Sequence, residues 1–134
     1  KLGLHILLAE DNRVNQQVAV KMLRKMGCTT EIAKNGSEAL EKVKIGKFDL
    51  VFMDCQMPIM DGFEATKQIR ALDAGDGLPI VAMTANAMKG DQERCLEAGM
   101  DDYLAKPIST ESLQILFDRW SVRLGIDAKG RAAA

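Results

Sequence analysis

Apolar stretches of four or five residues alternate along the chain with longer segments whose apolar residues return every three or four positions. The short stretches are His5–Ala9, Thr29–Ala33, Leu50–Asp54, Ile80–Thr84 and Asp102–Ala105. Their length and their turn-forming flanks predict strands, the second being half polar and suited to a sheet edge. In the first long segment Val14, Val18, Met22 and Met26 form a stripe widened by Ala19 and Leu23, a helix stopped by Gly27. After the Asn35-Gly36 turn, Ser37 is the expected cap of a second helix carrying Ala39, Leu40 and Val43. Asp61 and Glu64 form a capping-box pattern opening a third helix, with Ala65, Ile69 and Leu72 inward. A fourth helix is expected from Met88 to Ala98, before Gly99. Ser109 caps a fifth, with Leu113, Leu116, Phe117, Trp120 and Leu124 on one stripe.

Strict alternation of strand and helix predicts an α/β fold, a parallel sheet covered by helices on both faces. The nearly continuous apolar character of the first, third and fourth strands agrees, since such strands are buried on both sides. Ligands of these folds bind beyond the carboxyl ends of the strands, and the reactive residues of this chain collect there. Glu10 and Asp11 follow the first strand, Asp54 closes the third, Thr84 closes the fourth, and Lys106, before Pro107, follows the fifth. Acids, a hydroxyl and an ammonium delivered to one sheet edge make a metal-assisted phosphoryl-transfer constellation. Three converging carboxylates repel one another unless a cation joins them. Hard oxygen donors without His or Cys select Mg²⁺ or Mn²⁺.

At 134 residues the chain suits one domain, expected over 1–126 with 127–134 as linker or tail. A net charge of -1 argues against nucleic acid or a membrane surface as direct partner. Three widely spaced cysteines, with neither a CxxC nor a Cys/His pattern, point to a reduced, cytoplasmic setting. No apolar run approaches the ~18 residues of a membrane helix. A P-loop nucleotidase is excluded because GxxxxGK[ST] is missing. A dehalogenase-type phosphatase would need an acid where Gln56 stands, and a flavin phosphate would be repelled by Glu10 and Asp11. Asp61, Asp101 and Asp102 read as cap and turn residues, His5 as structural and Cys55 as a packing residue.

The run Met53-Asp54-Cys55-Gln56-Met57-Pro58-Ile59-Met60-Asp61-Gly62, with Glu10-Asp11-Asn12, Thr84-Ala85-Asn86 and Lys106-Pro107, resembles the receiver domain of two-component response regulators from about His5 to Leu124. It looks especially like receivers carried by hybrid sensor histidine kinases. The resemblance implies a flavodoxin-like (βα)5 doubly wound sandwich with strand order 2-1-3-4-5. It implies Asp54 as phosphoacceptor, with Asp11, Asp54 and the backbone carbonyl of Gln56 on Mg²⁺ and Glu10 acting through water. Lys106 and Thr84 would serve the phosphoryl group, and Thr84 with Tyr103 would form the switch that alters the fourth helix, fifth strand and fifth helix. The implied donor is a histidine kinase phosphotransfer domain or a histidine phosphotransfer protein. The implied chemistry is not that of an ordinary enzyme: the domain catalyses its own phosphorylation and a slow self-dephosphorylation, tuned at Gln56 and Asn86. The expected setting is the cytoplasm, as a monomer or weak dimer, including the cytoplasmic part of a membrane-anchored hybrid kinase. A receiver that only docks is disfavoured because every reactive position is filled.

Overall fold

The computed structural model describes residues 2–85 and 89–126. Asn86, the expected helix start at Met88 and the expected tail at 127–134 lie outside the described residues. Strands β1 (His5–Ala9), β2 (Thr29–Ala33), β3 (Leu50–Asp54), β4 (Ile80–Thr84) and β5 (Asp102–Ala105) pair in the order β2-β1-β3-β4-β5. All four pairings are parallel. The helices are α1 (Arg13–Lys25), α2 (Gly36–Ile45), α3 (Gly62–Arg70), α4 (Lys89–Ala98), α5 (Thr110–Arg119) and the short α6 (Ser121–Leu124). This is the flavodoxin-like arrangement, with β1 and β3 adjacent where the winding reverses, so their carboxyl ends flank the crevice.

Alternation along the strands feeds two cores. Leu7, Val51, Met53 and Ala82 point to the face covered by α2, α3 and α4, where they meet Val43, Ala65, Ile69 and Cys95. Ile6, Leu8, Phe52 and Val81 point to the other face and meet Ala19 and Leu23 of α1 and Leu113, Leu116 and Phe117 of α5. Phe52 and Phe117 pack edge to face with centroids 6.4 Å apart. Every residue of β3 and β4 is buried, as the continuous apolar runs required. Among the described residues, no helix is long and apolar enough to cross a membrane.

Several local expectations are corrected. The buried residues of α1 are Gln16, Ala19 and Leu23, while Val14 (66 % exposed) and Val18 (44 %) face outward. The Asn12 side chain accepts from the Asn15 N–H, and Gln16 Nε2 donates to the Glu10 carbonyl at 2.6 Å. These two bonds fix the helix rotation and turn the valines away. Helix α2 is capped by Asn35, whose side chain accepts from the Glu38 N–H, and not by Ser37. Helix α3 ends at Arg70, so Leu72 packs from the turn beyond it. Asp61 and Ser109 cap α3 and α5 as expected, the latter in a reciprocal box with Ser112.

Asp101 and Asp102 are more than turn residues. Asp101 accepts from Arg70 Nη2 at 2.7 Å and from the Ile80 N–H at 2.8 Å. Buried Asp102 accepts from Arg119 Nη1 and from the Trp120 indole, tying the end of α5 to the start of β5. His5 is structural: its ring bonds Thr29 and Glu31 and stacks on Phe48.

Candidate functional site

Beyond the carboxyl ends of the strands lies a cleft lined by Glu10, Asp11, Asn12, Asn15, Asp54, Gln56, Thr84, Asp91 and Lys106, among others. Asp54 ends a fully buried strand and is itself only 3 % exposed. Its backbone is held down by α3: a Cβ on Gly62 would stand 2.1 Å from the Asp54 carbonyl oxygen. Glycine at this position is what allows the helix start to close on the strand end. The Gly62 N–H also donates to the Cys55 carbonyl, closing the intervening loop.

Lys106 brings the acids together. Its Nζ lies 2.7 Å from Asp54 Oδ2 and 3.1 Å from Glu10 Oε1. The Lys106 N–H donates to the Thr84 carbonyl, which fixes the start of the β5–α5 loop on β4, and Lys106 is joined to Pro107 by a cis peptide bond. Glu10 is buried and accepts from the Asn12 N–H at 3.0 Å and from Asn15 Nδ2 at 3.2 Å. Asp54 Oδ1 accepts from the Gln56 N–H at 3.1 Å.

The protonation balance follows from these contacts. Burial pushes the Asp54 carboxyl up to about 6, and the Glu10 charge adds to the rise against the bonds from Lys106 and Gln56. Burial also pulls Glu10 upward, but the Asn12 N–H and the bonds to Lys106 and Asp54 outweigh it and hold Glu10 below its ordinary value. Burial disfavours the Lys106 ammonium, yet its two carboxylate partners outweigh that and raise its pKa. Lys106 is thus a fixed positive charge.

One atom each of Glu10, Asp11 and Asp54 lies within 4.8 Å of the others. With Lys106 as the ammonium paired with Glu10 and Asp54, the three carboxylates retain excess negative charge at neutral pH. An all-oxygen donor set with that excess fits a small hard divalent cation.

Each residue expected in the pocket is there: Glu10, Asp11, Asp54, Gln56, Thr84 and Lys106 all line it. Tyr103 does not. It is half-buried and packs against the α2–α4 face. The register pairs Ala82 with Tyr103 and Thr84 with Ala105, so Thr84 and Tyr103 share one sheet face two positions apart. Cys55 is buried with its Sγ 4.0 Å from that of Cys95, the packing role expected of it. Asp91, in the first turn of α4, and Asn15, in the first turn of α1, line the cleft unanticipated. Neither ends a strand, so the strand-end rule passes over both. The spacing of Asn15 from Asn12, its helix cap, was the available clue.

Fold and cleft together define a doubly wound α/β domain with an acid-rich site at the point where the winding reverses. The response regulator receiver domain model matches residues 6–118, and the chain belongs to that family. It is 46 % identical over 121 residues to hybrid signal transduction histidine kinase B of Dictyostelium discoideum, covering 82 % of this chain and 6 % of the relative. The chain therefore spans a small fraction of that relative, and 7 % of hybrid signal transduction histidine kinase I from the same organism. Among solved structures it is similar to the receiver domain of sensor histidine kinase PA1611 of Pseudomonas aeruginosa, crystallised with magnesium in its active-site cleft. The TM-score is 0.82 at 47 % identity, over 88 % of this chain and 97 % of that one. It is also similar to the co-crystal structure of the Saccharomyces cerevisiae phosphotransfer protein Ypd1 with the receiver domain of Ssk1. There the TM-score is 0.84 at 34 % identity, over 96 % of both chains.

Proposed function

We propose that this receiver takes a phosphoryl group from a phosphohistidine onto Asp54 and passes the change to its α4–β5–α5 face. The observation that carries the reading is the Lys106 ammonium, 2.7 Å from Asp54 and 3.1 Å from Glu10, beside a third acid, Asp11. An Asp54 carboxylate oxygen attacks phosphorus, a P–O bond forms, and the P–N bond breaks with its electron pair leaving on the donor imidazole. The transition state is loose and places negative charge on the equatorial oxygens. Lys106 would meet that charge, and Thr84, which lines the cleft, would donate its hydroxyl to one of those oxygens. Asp11, Asp54 and the Gln56 carbonyl, with Glu10 through water, would hold Mg²⁺ or Mn²⁺, which when bound neutralises charge on the phosphoryl oxygens. The magnesium in the PA1611 receiver supports this choice of ion.

The domain consumes its own side chain, so turnover is limited to phosphorylation and slow hydrolysis of one aspartyl phosphate. Gln56, at the cleft rim, offers no base to a hydrolytic water. The donor is a kinase phosphotransfer domain or a phosphotransfer protein, a reading supported by the Ypd1–Ssk1 receiver complex. A groove lined by Val18, Pro107 and Ile108 shares Glu10, Asn15 and Lys106 with the cleft, giving such a donor an apolar seat beside the nucleophile. The likeness to hybrid kinases favours a cytoplasmic receiver spanning 1–126 within a longer protein, a monomer or weak dimer by itself.

Incubation with phosphoramidate and Mg²⁺ should add the mass of one phosphoryl group to the intact chain. No gain with either phosphoramidate or acetyl phosphate contradicts the reading. The switch has its own test. If Thr84 moves toward the phosphoryl group, volume opens on the sheet face that it shares with Tyr103, and a packed interior rearranges to fill it. NMR spectra with beryllofluoride should shift at Tyr103 and along α4 as well as in the cleft. Shifts confined to cleft residues would rule out this switch.

A further inference from the structure

Two of the three thiols meet beside the nucleophile. Cys55 follows Asp54 at the end of β3, Cys95 stands on α4, and their Sγ atoms are 4.0 Å apart. Both are buried in the core on the α2–α4 face. Cys28, the third, is buried in the core across the sheet. Packing explains a small apolar side chain at each position, but it does not require sulfur at both. Cys55 also lines the acid cleft, an entry for an oxidant as small as a peroxide. Gly90, in the first turn of α4, lowers that helix's resistance to local opening.

A disulfide needs its sulfurs about 2 Å apart and its Cα atoms within about 7 Å. From 4.0 Å, the gap left to close is within the swing of a Cys side chain between rotamers. The Cys55 backbone cannot follow α4, because its N–H donates to the Met83 carbonyl at 3.0 Å and its carbonyl accepts from the Gly62 N–H at 3.1 Å. A closed bond would therefore hold α4 against a fixed strand end. Resting on the switch reading above, we propose that Cys55 and Cys95 are a redox modification site: a hydroperoxide closes them to a disulfide that ties α4 to β3 and keeps the receiver in its resting arrangement. One sulfur takes an oxygen from the peroxide, whose O–O bond breaks and whose other oxygen leaves as water. The second sulfur displaces the bound oxygen as a second water, and the S–S bond forms. Both thiol protons leave in the waters; the sulfurs are oxidised and the peroxide reduced. Burial pushes both thiols up, so in the closed fold they stay protonated, and reaction waits on openings of α4. In the cytoplasmic setting proposed above, such a bond is transient and redox-sensing rather than structural.

The test uses the full chain, reduced or treated with hydrogen peroxide. The treated chain should lose two hydrogens in mass, yield a Cys55–Cys95 cross-linked peptide, and return to its starting mass with dithiothreitol. Cys28→Ser should form the bond at the wild-type rate, and Cys95→Ala should not form it. With beryllofluoride and Mg²⁺, the NMR response along α4 should drop at least about fivefold in the oxidised chain and recover on reduction. Thiols that stay reduced in excess peroxide until the chain is unfolded overturn the inference. So does oxygen added to single sulfurs without a cross-link, or a cross-link through Cys28. A Cys55–Cys95 bond that leaves the α4 response undiminished overturns the lock. A reduced chain with no α4 response defeats the switch reading, and the lock with it, whatever the thiols do. Failure of the reduced chain to take phosphate from phosphoramidate is the separate mark of a failed phosphoacceptor reading.

Discussion

Asp54→Asn is expected to abolish phosphate uptake, by more than about a thousandfold, while the fold persists. The amide cannot form an acyl phosphate, and among the described residues the one other carboxylate paired with Lys106 is Glu10, at 3.1 Å against 2.7 Å for Asp54. Glu10 contacts the same ammonium but is buried and already committed to the Asn12 and Asn15 amides. Stability gives a second readout with a definite sign. The folded-state value of Asp54, about 6, lies above its ordinary 3.8. Its contribution to stability is therefore complete below pH 3.8 and is lost as the pH rises through about 6. At pH 7 without metal the wild-type carboxylate is a liability that asparagine removes. The variant should melt no lower than wild type under those conditions. Thermal melts by circular dichroism check this, and a clearly lower midpoint would mean that the Lys106 contact outweighs the burial of the charge.

Magnesium should have the second largest effect. Glu10, Asp11 and Asp54 crowd within 4.8 Å, and a divalent cation that binds only the folded state relieves their repulsion. At a free concentration of 100 times Kd the gain is about 2.7 kcal/mol. Asp11→Ala should lose most of this response at millimolar Mg²⁺, and an unchanged response would remove Asp11 from the ion's donors. Because metal binding needs Asp54 ionised, Mg²⁺ affinity should fall below about pH 6, by up to about tenfold per pH unit. Calorimetric titration at pH 5 and pH 7 separates this from a flat profile.

The strands and the chemistry at their ends were legible because both depend on local pattern. All five strands fall where their apolar runs lie, and Glu10, Asp11, Asp54, Thr84 and Lys106, which close or follow four of those runs, all line the cleft. Helix rotation was less legible. Four-residue spacing pointed Val14 and Val18 inward with the rest of their stripe, but the buried face takes Gln16, bonded to the Glu10 carbonyl, beside Ala19 and Leu23 and leaves the two valines exposed. A polar residue buried by a backbone partner leaves no mark in a hydrophobic pattern. Asp102 escaped for a similar reason, since its partners Arg119 and Trp120 stand 17 and 18 residues away. The positive φ of Ile59, 71°, was equally hidden, because the sequence suggests nothing there beyond a turn after Pro58.

The most direct test is to locate the phosphoryl group chemically. An aspartyl phosphate is an acyl phosphate, so borohydride reduces it to homoserine, whereas phosphate esters and unmodified carboxylates do not react. After phosphoramidate and Mg²⁺, reduction and peptide mass spectrometry should find homoserine at position 54 alone. Homoserine at position 10 or 11, or a phosphate that resists borohydride, would contradict the assignment of Asp54.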